Sequence, residues 1–465
     1  MRLVRNGALA VAASLILWPA LLFAHVALRR SEPANGATLR AAPRVIRLTF
    51  SEAPQLPFTR VELIGSDSQR VALSPLRVAA PNAAATVVAD VVGPLRAGAY
   101  RIAWQITSAD GHPVRGAVRF RITEDATGLA ISPMDSAASA ALPPVTPAMD
   151  TPLAPGPTSP DPFGVDSWQY AVIRLLTFAA ILVIVGAVVF SLIVVPATHH
   201  RVPDLDADFV IGARHRAART ALAATAALAL LLVARLIAQS FAVRGSLPDA
   251  HFVHDVARTP WGAGLLLGAA SVLALAFALA RARHAAWRIA ATAVVALALA
   301  TALSGHAAAS GQWTVAAVFS DAVHVLAAGG WLGALLLVVV AGLPASSTLE
   351  PLSRSRAVRG MVDAFSPMAL TFASALAVTG VIAAVLRLGA WSALTGSEYG
   401  RVLLFKLGGV ALVILVGAYN WRRVRPRLDA SRVGMLRRSA TLELLLGFVV
   451  LMMTAWLVAT PPPTE

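Results

Sequence analysis

From residue 168 onward the chain repeats one pattern, an apolar run of roughly 20 residues followed by a short stretch that carries arginine. The runs lie near 168–195, 217–240, 261–281, 286–307, 315–342, 364–386, 402–420 and 439–459. A helix rises about 1.5 Å per residue, so each run matches the roughly 30 Å hydrocarbon core of a bilayer. In that medium every backbone group must be bonded within the segment, which an α-helix achieves by itself. The composition agrees, with 57% hydrophobic and 14% charged residues and a mean hydropathy of +0.70. The reading is an all-α polytopic membrane bundle of eight transmembrane helices over residues 167–460, with the lipid bilayer as its surroundings.

The net charge of +15 suits either a nucleic-acid or anionic-lipid partner, or the positive-inside bias of a polytopic membrane protein. Its placement decides between them. Alternate loops carry Arg201, Arg214, Arg216 and Arg219; Arg281, Arg283 and Arg288; Arg354, Arg356 and Arg359; and Arg422, Arg423, Arg425, Arg427, Arg432, Arg437 and Arg438. The intervening loops carry only Arg244, Arg258, Arg387 and Arg401, so 17 arginines face four. The charge reports orientation, no nucleic-acid partner is needed, and the segment before the first span is placed outside.

That segment opens with Arg2 and Arg5 and an apolar stretch from Ala8 to Ala24. Residues 1–24 read as a secretory signal cleaved after Ala24, with an uncleaved anchor as the alternative because Leu22 is not a small residue. Residues 25–123 hold short alternating runs (VIRLTF, RVELI, ATVVADVV, YRIAWQI, VRFRIT) broken by turns such as PANG and ADGHP, the pattern of a small β-sandwich. Residues 124–166 contain nine prolines among many Ala, Ser and Thr and read as an extended linker. Cysteine is absent, which removes disulfides and thiolate metal sites. No GxxxxGK[ST] motif occurs, so no P-loop drives transport.

With the signal removed, His25 becomes the N-terminus, and its α-amine and imidazole can close one chelate ring. Asp110-Gly111-His112 lies in the turn between YRIAWQI and VRFRI, where Gly111 permits a tight bend that lets carboxylate and imidazole converge. Amine, two imidazoles and a carboxylate form a tetragonal set suited to Cu(II). The bland alternative is a turn histidine and a histidine that merely follows a signal. The strings HVALRRSEPANGATL, FSEAP and SADGHPVRGAVRFRI resemble the periplasmic copper-binding family CopC. The resemblance implies an Ig-like or cupredoxin-like Greek-key fold and Cu(II) ligation by His25, Asp110 and His112. Residues 25–123 contain no Met, so no soft Cu(I) site is expected there.

Ionisable residues within membrane spans are functional candidates by default. Asp321 and His324, three residues apart in the fifth span, share a helix face, and His306 ends the fourth span. The three offer a candidate copper path, with a proton relay or a structural hydrogen-bond network as alternatives. His251 and His254, spaced HxxH between Asp249 and Asp255, form a weaker candidate relay site, an exposed amphipathic loop being the simpler reading. Lys406, the only lysine, and Glu443 could each form an ion pair or line a path, structural pairing being the simpler reading; Arg174 reads as a snorkelling residue, Arg235 as a residue without an evident partner, and Ser366-Pro367 as a kink site. The histidines of the inside loops, His199, His200, His215 and His284, read as solvated.

SGHA, DAVHxLAAGGWLG, FSPMAL, YGRVLLFKLGG, YNW and RRSATLELLLG resemble the CopD copper-resistance membrane family over roughly 168–460. Together the resemblances imply a CopC–CopD fusion in a bacterial inner membrane, with its first domain in the periplasm. Such a protein would bind copper outside and transfer it inward, receiving it from a periplasmic donor and passing it to a cytoplasmic acceptor. No enzymatic activity is expected. Two other classes are a copper-dependent oxidoreductase built on the N-terminal histidine and a haem-binding electron carrier using His306 and His324 as axial ligands.

Overall fold

The computed structural model describes residues 27–80, 83–108, 111, 113–123, 167–281, 284–305, 307, 313–388, 390–425, 433–458 and 460. The expected signal and linker, and with them His25, Asp110, His112 and His306, lie outside the described residues. The chain divides into two compact units.

The N-terminal unit is built from nine strands: β1 Leu28–Glu32, β2 Ala37–Leu39, β3 Val45–Phe50, β4 Arg60–Gly65, β5 Arg70–Val71, β6 Arg77–Val78, β7 Thr86–Asp90, β8 Gly98–Thr107 and β9 Pro113–Ile122. They form two sheets, ordered β1-β3-β7-β6 and β2-β9-β8-β4-β5, and the chain crosses between sheets as it proceeds. Pairing is antiparallel except β2 with β9. Period-two alternation fills the space between the sheets. Ile46, Leu48 and Phe50 of β3, Ile102, Trp104 and Ile106 of β8, and Val118, Phe120 and Ile122 of β9 are buried together, while Arg47, Arg119 and Arg121 point outward. Trp104 meets Phe50 edge to face at 5.3 Å.

Among its described residues the second unit holds eight helices long and apolar enough to cross a membrane. They are α1 Trp168–Arg201, α2 Ala207–Arg244, α3 Pro260–Arg281, α4 Ala286–Leu303, α5 Thr314–Ser346, α6 Pro351–Leu388, α7 Glu398–Arg423 and α8 Val433–Leu457. All eight expected spans are present. The difference lies at the ends: α2 and α6 each run 38 residues, so Arg214, Arg216, Arg219, Arg354, Arg356 and Arg359 sit on helix rather than in loops. Asp206 caps α2 by accepting from the N–H of Asp208, and Gly245 ends it in the left-handed conformation at φ 73°, a position that favours glycine.

The bundle buries Ala, Val, Leu and Ile between its helices and exposes others outward, among them Leu230, Val315 and Phe405, as expected of lipid-facing surface. Four π-helical turns interrupt the spans, at Phe190–Val194, Gly329–Gly333, Val338–Gly342 and Asn420–Val424. Small residues let α1 and α5 approach closely. A methyl group on Gly333 would meet the carbonyl of Leu182, and one on Gly186 would meet the backbone of Gly333.

Candidate functional site

In the N-terminal unit, β8 and β9 form a hairpin whose last pair is Thr107 with Pro113. The loop between them contains two of the three expected ligands. Gly111 adopts φ +87°, which bears out the tight bend expected of it. A single segment, Ser51–Gln55, is tied to the chain on both sides of the expected site. Ser51 N–H donates to Ala27 O at 2.8 Å and Ser51 Oγ accepts from Ala27 N–H at 2.9 Å. Gln55 N–H donates to Thr107 O at 3.0 Å, and Gln55 Nε2 donates to Ser108 O at 3.2 Å. The backbone two residues after His25 and the backbone entering the Asp110–His112 turn are therefore pinned to the same five residues.

In the membrane unit, Asp321 and His324 lie on α5 as their spacing predicts. His324 Nδ1 is 2.8 Å from Thr379 Oγ1 on α6. Thr379 Oγ1 also donates to Ala375 O at 2.7 Å, and with that bond kept it accepts from His324, whose proton then lies on Nδ1. This leaves the Nε2 lone pair for a metal or a proton, the arrangement by which a second partner fixes the tautomer of a metal-binding histidine. Gly305, the residue before His306, lies beside Asp321, since a methyl group on it would stand 4.0 Å from Asp321 Oδ2. Lys406 on α7 is within electrostatic range of Asp321 and His324, and Arg387 near the end of α6 is within range of both His324 and Lys406. His324, Thr379 and Lys406 lie eight to ten residues from the ends of their helices that face the same side, about 12–15 Å along each.

Glu443, only 5% exposed, forms no ion pair among the described residues and instead accepts from Trp331 Nε1 at 3.2 Å and from Asn420 Nδ2 at 3.1 Å. Arg174 does not snorkel. It is 8% exposed, donates to Ala455 O at 3.1 Å and lies over the Tyr170 ring, because an interhelical carbonyl and an aromatic face satisfy it inside the bundle. Arg235 has a partner after all, the face of Trp261 at 5.7 Å.

His251 and His254 lie on a short helix, Ala250–Ala257, and both are exposed. His251 Nδ1 is 3.0 Å from Asp255 Oδ2, and Arg244 reaches Asp249 at 3.0 Å and Asp255 at 3.6 Å. The guanidinium already occupies the carboxylates that a metal would use. The Phe252 N–H bond and Arg244 hold the Asp249 carboxyl below its ordinary range. Among the described residues no group of three or more His, Asp or Glu stands ready to hold a metal ion. His199, His200 and His215 are exposed, as expected.

Sequence reasoning missed Thr379, whose partner is 55 positions away and which stands in no recognisable string. Ser51, Trp331 and Asn420 carried a signal, since each lies within a string that bears the family resemblance (FSEAP, GGWLG and YNW).

Comparison with known proteins matches residues 28–123 to the CopC domain, residues 165–315 to the N-terminal domain of copper resistance protein D-like proteins and residues 359–457 to copper resistance protein D. The Bacillus subtilis copper transport protein CutJ is 25% identical over 463 residues, which is 97% of this chain and 77% of that protein. Copper resistance protein C of Pseudomonas syringae pv. tomato is 34% identical over 126 residues, covering 26% of this chain and 99% of the relative. The crystal structure of PcoC, a methionine-rich copper resistance protein from Escherichia coli, shares 32% identity and covers 21% of this chain and 99% of its own, with a TM-score of 0.19.

Proposed function

The chain belongs to the copper-resistance family, joining a CopC domain to a CopD-type multi-pass membrane domain, and from that premise we propose that it captures Cu(II) outside the inner membrane and transfers copper inward. The observation that carries this reading is the presence of both modules in one chain, aligned along nearly its whole length with a protein named for copper transport. The outer ligands are the amine and imidazole of His25, the Asp110 carboxylate and the His112 imidazole. All must be deprotonated to bind, so affinity falls with decreasing pH. The linker of residues 124–166 holds the loaded domain at high local concentration near the bundle.

Within the bundle, His324 Nε2, Asp321 and His306 form the first station of the path. The tautomer set by Thr379 supports His324 as a ligand. The His251–His254 helix, neutralised by Arg244, plays no part. The activity is binding and transfer rather than catalysis. A periplasmic donor loads the site and a cytoplasmic acceptor unloads the bundle.

The test begins with purified full-length protein carrying one extra residue before His25. Cu(II) affinity should fall sharply, and unchanged affinity overturns the outer site. Cells expressing the protein should then accumulate more copper under limiting supply. Lower accumulation would make it an exporter, and a Soret band in the purified protein would replace copper transfer with haem chemistry.

A further inference from the structure

Glu443 is the one carboxylate among the described residues buried below a tenth of its surface. It lies ten residues into α8, about 15 Å along the helix, in the inner half of the membrane in the orientation proposed above. Its two partners, Trp331 Nε1 and Asn420 Nδ2, are neutral donors, and it makes no ion pair among the described residues. The charged groups on the elements packed against α8 stand elsewhere: Arg174 reaches Ala455 twelve residues away, Lys406 is two helical turns or more from Asn420 along α7, Arg422 and Arg423 are exposed beyond Asn420, and Arg437 and Arg438 are exposed near the start of α8. The α5 segment against it, Ala334–Gly342, carries no charge.

An ionised carboxylate in such a place costs several kcal/mol that two neutral hydrogen bonds do not offset, and intramembrane carboxyls of this kind serve as proton relays. Asn420 suits both forms. Its Nδ2 donates to the ionised group, and its Oδ1, buried without a hydrogen-bond partner, accepts from a protonated carboxyl once the amide turns over. Both partners sit on π-helical turns, Gly329–Gly333 and Asn420–Val424, which occur often at functional positions. Gly417 leaves room on the α7 side, with a methyl group there standing 3.5 Å from Glu443 Oε1. The carboxylate oxygens of Glu443 are hard ligands, poorly suited to Cu(I), and its two hydrogen-bond partners are N–H groups that cannot ligate a metal. The ligand that fits is a proton.

We propose that Glu443 is a proton-carrying site of the membrane domain, protonated at rest and exchanging that proton with water as copper crosses. The exchange moves one proton between carboxyl and water and involves no redox step. The coupling rests on the copper-transfer reading above; the protonated state does not.

The test uses full-length protein and its Glu443→Gln variant, whose amide keeps the bond from Trp331 and donates to Asn420 Oδ1. Thermal unfolding in detergent should match wild type and confirm folding. Infrared spectra at neutral pH should show a protonated-carboxyl C=O band in wild type that shifts in D2O and is lost in Glu443→Gln. A wild-type spectrum without the band, or a band unchanged in the variant, overturns the proposal whatever copper does. In proteoliposomes enclosing a pH dye, copper entry through wild type should move protons and the variant should not. Copper entry without proton movement overturns the coupling. Failure of wild type to move copper at all counts against the transfer function, while the infrared result still decides the proton site.

Discussion

At the scale of single residues, the orientation of His324 turns on one hydroxyl. With its proton on Ala375 O, Thr379 accepts from the imidazole Nδ1 and leaves the Nε2 lone pair for a ligand. Thr379→Val keeps the side-chain shape and removes the acceptor. Copper accumulation by cells expressing the variant should fall about 10- to 100-fold, the usual consequence of losing the group that orients a metal-binding histidine. Thr379→Ser should retain most of it. Equal accumulation by the valine variant would remove His324 from the path. Asp321 and His324 were legible in the sequence because their spacing and their membrane depth are local properties. Thr379 was not, because its role depends on how α6 packs against α5. The partners of Glu443 are hidden from sequence for the same reason, since register places Trp331 and Asn420 at Glu443 and sets Lys406 among Asp321, His324 and Arg387.

At the scale of elements, the crossing of α1 and α5 depends on glycine. Gly333→Ala would drive its methyl group into the carbonyl of Leu182, and neither backbone can yield without disturbing the π-helical turn that contains Gly333. Overpacking of this kind costs about 1–3 kcal/mol, so the variant should show a lower unfolding temperature in detergent; an unchanged temperature would mean that the crossing is looser than described.

In the sandwich, Arg77 of β6 forms a two-bond pair with Asp90 of β7, at 2.6 and 2.9 Å. The paired guanidinium holds the Asp90 carboxyl below its ordinary range. The pair therefore supports the fold above about pH 4 and loses that effect as pH falls through the depressed value. Urea unfolding of the N-terminal domain should find Asp90→Asn less stable than wild type at neutral pH, with the gap closing in strong acid; a gap independent of pH would rule out the ion pair as its cause.

Of the six strands with five or more residues, β3, β4, β7, β8 and β9 were readable from their apolar runs, whereas β1, LRRSE, has a single apolar residue. The two- and three-residue strands β2, β5 and β6 are too short to show a period. Helix ends were misjudged where α2 and α6 continue past the apolar run, because hydropathy reports the bilayer and not the hydrogen bonds that carry a helix onward into water.

At the scale of the whole molecule, the arginine distribution predicts topology. Fusing a reporter active only outside the cytoplasm after residue 248 or 390 should give signal, and after residue 204 or 349 none. The reverse pattern would invert the proposed direction of transfer. Composition and hydrophobic runs made the two-part architecture and the number of spans legible, because both follow from solvent preference alone. How the spans bring polar groups together was not, since that is decided by close contacts between segments distant in the chain.

His324 and Trp331 are seven residues apart on α5, close to two turns and so on one face, about 10 Å along the axis. Between them Val325–Gly330 carries no polar side chain. This apolar interval spans about a third of a 30 Å hydrocarbon layer, and a stretch of that thickness would take a corresponding share of the membrane voltage. A single charge passing from His324 to the level of Trp331 would exchange about 0.8 kcal/mol with the field for each 100 mV, so that in the inward transfer proposed above the resting potential of the cell would act at this interval.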